Sequence, residues 1–221
     1  MTKRVITKHL EKHLIDVSMF PDKNYVKTYF QVVNDTIEEY INEFQDKLTG
    51  EDKAKSLHDL FDRLIEQEIT QSDNLQKNKI SCKKGCNHCC SQIVMITEDE
   101  AELLAKDIKD KGIKFSKAKL LRQSKVTSPE EWMKLKDSDR KCVFLGKGGV
   151  CEVYENRPAF CRSYFVVSDP KYCKTNAEHN VAMVFLRNVH TAISASLNLS
   201  EKAKNGENIS LPSQLLEVIK K

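Results

Sequence analysis

The sequence predicts a mainly α protein: a helical N-terminal extension over residues 1–75, serving as scaffold or docking surface, followed by a cysteine-rich metal-binding domain over residues 76–221 that carries a short β-hairpin. Three observations predict this. Apolar residues recur every three or four positions through the first part, which lines them up on one face of a helix. All eight cysteines come after residue 81. The stretch 142–154 reads CVFLGKGGVCEVY, two short apolar segments around a glycine-rich loop, the pattern of a hairpin.

In chain order, the first stripe covers 25–48, with Val26, Tyr29, Phe30, Val33, Ile37, Tyr40, Ile41, Phe44 and Leu48 in register, and Gly50 offers a stop. Leu57, Leu60, Phe61, Leu64, Ile65 and Ile69 form a second stripe, and so short a connection favours antiparallel packing of the two helices. Thr97 and Glu100 have the spacing of a capping box, opening a helix that runs to Lys111 before Gly112. Ser128 and Glu131 repeat the spacing with Pro129 at the first helical position. Between these caps, 114–125 is a basic helical stretch whose ordinary role is a solvated face. Residues 180–199 suit a long helix able to cover the site, and 212–219 a short final one.

A chain of 221 residues needs no crosslink merely to hold a core. Charges break up its start, and no run approaches the roughly 20 apolar residues of a membrane span. A cytoplasmic protein with no membrane segment and no export signal is expected. In a reducing compartment, closely spaced thiols hold metal more often than they form disulfides. The formal charge of +4 does not call for nucleic acid, because eight thiolates would reverse the basic excess around them. The glycine-rich loop 146–149 lacks the strand, lysine and helix order of a phosphate cradle.

The chemistry concentrates in residues 82–90, CKKGCNHCC. Cys82, Cys86, Cys89 and Cys90 can supply several soft sulfur donors from one loop, with Gly85 allowing the tight turn. Adjacent Cys89 and Cys90 do not face one ion in a regular helix or strand, so they serve two metals, or one is a spare reactive thiol. Cys142, Cys151, Cys161 and Cys173 follow. Eight thiols make two four-sulfur sites, or one cluster plus spare thiols. His88 lies within the loop as a ligand or as an outer partner. His9 and His13, one helical turn apart, lack the HExxH arrangement.

The loop, taken with Tyr154, Arg157, Pro158, Cys161 and Arg162 downstream, resembles the YkgJ-type cysteine-cluster family, also called the CxxCxxCC zinc- or iron-chelating domain. The resemblance spans 81–173. It implies Cys82, Cys86, Cys89, Cys90, Cys142, Cys151 and Cys161 as metal ligands, with Cys173 as a further candidate. It also marks Arg157 and Arg162 as cofactor-contacting residues, since a guanidinium can offset thiolate charge and tune a cluster.

The function expected is therefore a metal-binding protein holding zinc or an iron–sulfur centre through thiolates of two sequence segments. Relatives such as the flagellin lysine methylase imply an alternative: an iron–sulfur-dependent enzyme that modifies a protein substrate, with S-adenosylmethionine as cosubstrate. Cys82, Cys86 and Cys89 match the three-cysteine spacing of radical S-adenosylmethionine enzymes. Against that fold stand Cys90, His88 and the lack of alternating strands and helices afterwards. A zinc-stabilised module binding a nucleic acid or a protein is the third reading.

Overall fold

The computed structural model describes residues 50–73, 75, 79–83, 85–174 and 200–220, with single positions at 31, 35, 189, 190, 192, 193, 196 and 197. The protein is mostly helical, as the sequence predicts. The first stripe, 25–48, lies outside the described residues except at Gln31 and Asp35. Both are helical, and the Gln31 Nε2 donates to Asp35 Oδ1 at 2.7 Å.

Helix α1, Gly50–Gln71, is the second predicted stripe. The N–H of Gly50 donates to Asp99 Oδ1 at 2.8 Å, fastening the start of α1 to α2, Glu98–Lys111. Helix α2 has the full capping box, with Thr97 Oγ1 accepting from Glu100 N and Glu100 Oε2 accepting from Thr97 N. It ends at Gly112 in the left-handed region, φ 62°, where only a glycine turns without strain. The short helices α3, Lys117–Gln123, and α4, Pro129–Lys134, open on Ser116 and Ser128, each accepting an amide from the first turn. Single turns follow at α5, Asp137–Arg140, α6, Ala159–Arg162, α7, Lys171–Lys174, and α8, Glu201–Lys204. The last helix, α9, is Leu211–Val218.

Two apolar clusters hold these elements together. One joins Leu57 and Phe61 of α1 to Ala159 and to Val189, Ala192, Ile193 and Leu197. These last four fall in the predicted long helix at 180–199, at a spacing that puts them on one helical face. The other cluster gathers Ile96, Ala101 and Leu104 around Leu120, Phe144, Val153, Leu211 and Leu215. Burying a side chain such as Phe61, 1 % exposed, contributes about 1.5–3 kcal/mol. Helix α1 lies inside the stretch read from sequence as an extension, yet its apolar face completes a core built from residues beyond 158.

Two sequence expectations take a different form. The 142–154 hairpin is reduced to one antiparallel bridge, Leu145 with Cys151, and no sheet occurs among the described residues. Bonds from Gly146 N to Val150 O and from Glu152 N to Phe144 O flank it. The arms stop there because Cys142 N donates to Cys90 O at 2.7 Å, committing that arm to the cysteine loop. The run 93–96 likewise pairs through a single bridge, Met95 with Ser210, which brings the C-terminal segment against the cysteine-bearing region.

Candidate metal centre

The first cysteine loop folds on itself before it meets anything else. Gly85 takes φ 90°, Cys86 N donates back to Lys83 O at 2.9 Å, and His88–Ser91 closes as a 3-10 turn. With three residues per turn, neighbouring side chains fan out at wide angles, and both Cys89 and Cys90 reach the same cavity. The loop is then fixed from outside at three points. Cys142 N holds Cys90 O, the Trp132 indole N–H holds Ser91 O at 2.8 Å, and the Asn87 amide reaches Gly149 O at 3.4 Å.

Gly149 is indispensable to this contact. Its φ is 76°, and a Cβ there would lie 1.8 Å from Asn87 Nδ2. Ser81 N and Oγ donate to Val166 O and Val167 O, while α7 packs beside the 3-10 turn. Cys173 is thereby carried to the edge of the loop.

The result is a cavity of about 80 Å³ bordered by Cys86, Cys89, Cys90, Cys142, Cys151 and Cys161. It offers room for several water molecules. Trp132, Phe144, Tyr154 and Tyr164 supply aromatic wall. All eight cysteines are free thiols. Among the described residues, no three His, Cys, Asp or Glu side chains stand together so as to hold a single ion as they are. The six thiols border one cavity.

The thiols fall into an inner group that borders the cavity and an outer group that does not. Burial pushes Cys142 up to about 11 and Cys161 well above its ordinary value, with the charges of neighbouring cysteines adding to both. Cys89 is raised first by its hydrogen bond with Cys90 and then by burial. Burial raises Cys151, and it holds the hydroxyl of Tyr164 at about 12. Cys82 and Cys173 are also raised by burial, and each feels Cys86 and Cys89. These two do not border the cavity.

Of the two predicted arginines, Arg157 borders the cavity, with its guanidinium 4.5 Å over the Tyr154 ring. Its charge opposes the rise at Cys89, Cys151 and Cys161. Arg162 is directed elsewhere. Its Nε donates to Arg157 O, one terminal nitrogen to Glu155 O and the other to Asp62 Oδ2 of α1 at 2.5 Å. His88 is half-buried in the turn and outside the cavity wall. His9 and His13 lie outside the described residues.

Sequence reasoning missed Trp132, Phe144, Tyr164 and Pro212 as cavity wall. It also missed His58, Asp62 and Glu100 as the polar contacts behind Cys161. A buried tryptophan needs a partner for its N–H, and that was the one available signal.

A mainly α chain whose loops collect free thiols and an arginine around one cavity belongs to the class of cysteine-cluster proteins. Residues 81–181 match the family described as "CxxCxxCC: Putative zinc- or iron-chelating domain". No curated protein and no solved structure matches the chain. Among the described residues no helix is long and apolar enough to cross a membrane.

Proposed function

We propose that the chain binds zinc or an iron–sulfur centre through the thiolates of Cys86, Cys89, Cys90, Cys142, Cys151 and Cys161, with Cys82 and Cys173 as outer thiols and Arg157 offsetting their charge. The observation that carries this reading is the gathering of six free thiols from separate stretches of chain onto one cavity beside a guanidinium. Uncharged thiols tolerate that burial; thiolates would repel one another unless a cation shared them.

The donor set suits soft metals. A single zinc takes four sulfurs at about 2.3 Å, fewer than the six thiols that border the cavity. That surplus of donors leaves room for a centre with more than one metal atom. Such a centre supplies electron transfer or a Lewis-acidic iron, whereas zinc supplies a crosslink between the loops.

Anaerobic purification tests the proposal, followed by metal analysis per chain, acid-labile sulfide and visible absorption. Iron with matching sulfide, or zinc, at stoichiometric level is the expected result. Neither iron nor zinc bound at stoichiometric level would overturn the reading. Aerobic zinc alone would not decide the native metal, because zinc outcompetes ferrous iron at many sites.

The aromatic wall of the cavity favours a second reading, an iron–sulfur-dependent enzyme that modifies a protein substrate. Space beside the thiols admits a reacting group, which a purely structural zinc site does not need. Binding of S-adenosylmethionine to the iron form, followed by equilibrium dialysis, tests this reading. No binding, with no modified protein in the presence of the cosubstrate, counts against it.

A further inference from the structure

The turn that carries Cys161 is held before the cysteine by Glu100 of α2, which His58 of α1 braces, and after it by Asp62 of α1. Just before the cysteine, Ala159 N donates to Glu100 Oε1 at 2.8 Å. That same oxygen lies 2.9 Å from His58 Nε2 of α1. Just after the cysteine, the Arg162 guanidinium pairs with Asp62 Oδ2. His58 and Asp62 are four residues apart, so they project from one face of the helix. Between them, Leu57 and Phe61 pack on Ala159.

This grip is polar and buried where it matters. The side chains of His58 and Glu100 are 4 % and 5 % exposed, and Arg162 is 7 % exposed against 56 % for Asp62. Glu100 is used completely, with Oε1 taking His58 and Ala159 and Oε2 taking Thr97 N. The second ring nitrogen of His58 is buried with no partner among the described residues, a cost the chain bears for the Glu100 contact. A core needing only shape would have an apolar residue at position 58.

Building on the metal-binding reading above, we propose that His58 and Asp62 of α1 are positioning residues for Cys161, acting through Glu100 and Arg162, so that docking of α1 sets whether this thiol reaches the cavity. The four-residue turn 159–162 is too short to hold its own orientation. Its first free amide is fixed by Glu100, which His58 of α1 braces, and its guanidinium end by Asp62 of α1 together with the carbonyls of Arg157 and Glu155. Removing α1's contribution at either end frees the turn to rotate and withdraws one sulfur from the ring. The other thiols keep their own anchors in the 3-10 turn and the 145–151 bridge.

The test uses the full chain, stripped of metal and kept reduced, and follows alkylation of each cysteine by iodoacetamide with peptide mass spectrometry. In His58→Ala, the rate at Cys161 relative to Cys151 should rise about tenfold, the equilibrium effect of losing one charge-assisted hydrogen bond. His58→Gln, which keeps a donor for Glu100, should return the ratio most of the way. Asp62→Asn should raise it in the same direction. Zinc affinity of the His58→Ala protein, read by competition with a chromophoric chelator, should fall about tenfold.

An unchanged Cys161 to Cys151 ratio in folded His58→Ala and Asp62→Asn proteins overturns the proposal, as does equal failure of His58→Gln and His58→Ala. If His58→Ala does not fold, Asp62→Asn decides, because its exposed carboxylate can be replaced without a cavity. Wild-type protein that takes up neither zinc nor iron defeats the metal reading; the alkylation ratios, measured without metal, still decide the positioning claim.

Discussion

The indole N–H of Trp132 donates to the carbonyl oxygen of Ser91 at 2.8 Å, so the only tryptophan of the chain stands against the turn that holds Cys89 and Cys90. Its ring also walls the cavity. Loading the site with iron should quench the fluorescence of Trp132, in step with metal uptake. Titration of the metal-free protein with ferrous iron and sulfide checks this, and emission that stays constant through full loading contradicts it. Trp132→Phe keeps the ring and loses the N–H, and should destabilise the fold by about 1–2 kcal/mol through the orphaned Ser91 carbonyl.

The inner and outer thiols should differ when replaced one at a time. Cys89→Ser and Cys161→Ser remove sulfurs that border the cavity and should cut bound metal to less than about half of the wild-type level. Cys173→Ser removes an outer thiol and should leave most of it. Metal per chain, measured side by side after identical anaerobic purification, checks the ranking. Equal losses for all three would erase the distinction between the groups.

Glu100 links stability to pH. Burial tends to raise its carboxyl, but hydrogen bonds from His58, Ala159 and Thr97 outweigh burial and hold it below the ordinary value of 4.5. The stabilisation is therefore complete above pH 4.5 and disappears as pH falls through the depressed value. Glu100→Gln should cost about 3 kcal/mol near neutral pH, and the gap from wild type should narrow steadily below pH 4.5. Urea denaturation at a series of pH values measures it. A gap that is constant with pH would show that the carboxylate charge is not what matters.

Truncation locates the functional N-terminal border. A chain starting at residue 50 keeps Leu57, His58, Phe61 and Asp62, and should retain both metal uptake and a cooperative unfolding transition. A chain starting at 76 loses the side chains that cover Ala159 and hold Arg162, a deficit well above the roughly 3–5 kcal/mol of a single Phe→Ala core change. It should bind metal poorly and expose apolar surface to a fluorescent dye. Normal uptake by the shorter chain would support a boundary at 75.

Gly149→Ala should lower the thermal midpoint for two separable reasons, the strain of a side chain at φ 76° and the collision with Asn87. Strain of this kind costs about 1–2 kcal/mol. In an Asn87→Ala background only the strain remains, so the second substitution should cost less than it does alone. Additive costs would mean that the Asn87 to Gly149 contact contributes nothing to fixing the cysteine loop.

Much of this was legible along the chain. Thr97 with Glu100, Ser128 with Pro129, and the stripe from Leu57 to Ile69 announce their helices, because caps and periodicity are properties of neighbours in sequence. The thiol-bearing segments were legible too, since sulfur donors mark themselves by residue type. The hairpin was over-read: a glycine-rich turn between apolar residues states that the chain reverses, not how far the arms stay paired after Cys142 N is claimed by Cys90. Arg157 and Arg162 look equivalent in sequence, yet only Arg157 borders the cavity, because Asp62, a hundred positions earlier, takes the other.

By itself the sequence determined a helical protein, the stretches that supply sulfur and the family that residues 81–181 match. Only the tertiary structure decided which thiols share one cavity, which arginine faces it, and that α1 belongs to the same core. Local signals are written by residues within a turn of each other, whereas a cavity wall and a buried ion pair form between groups whose meeting depends on how every intervening element packs.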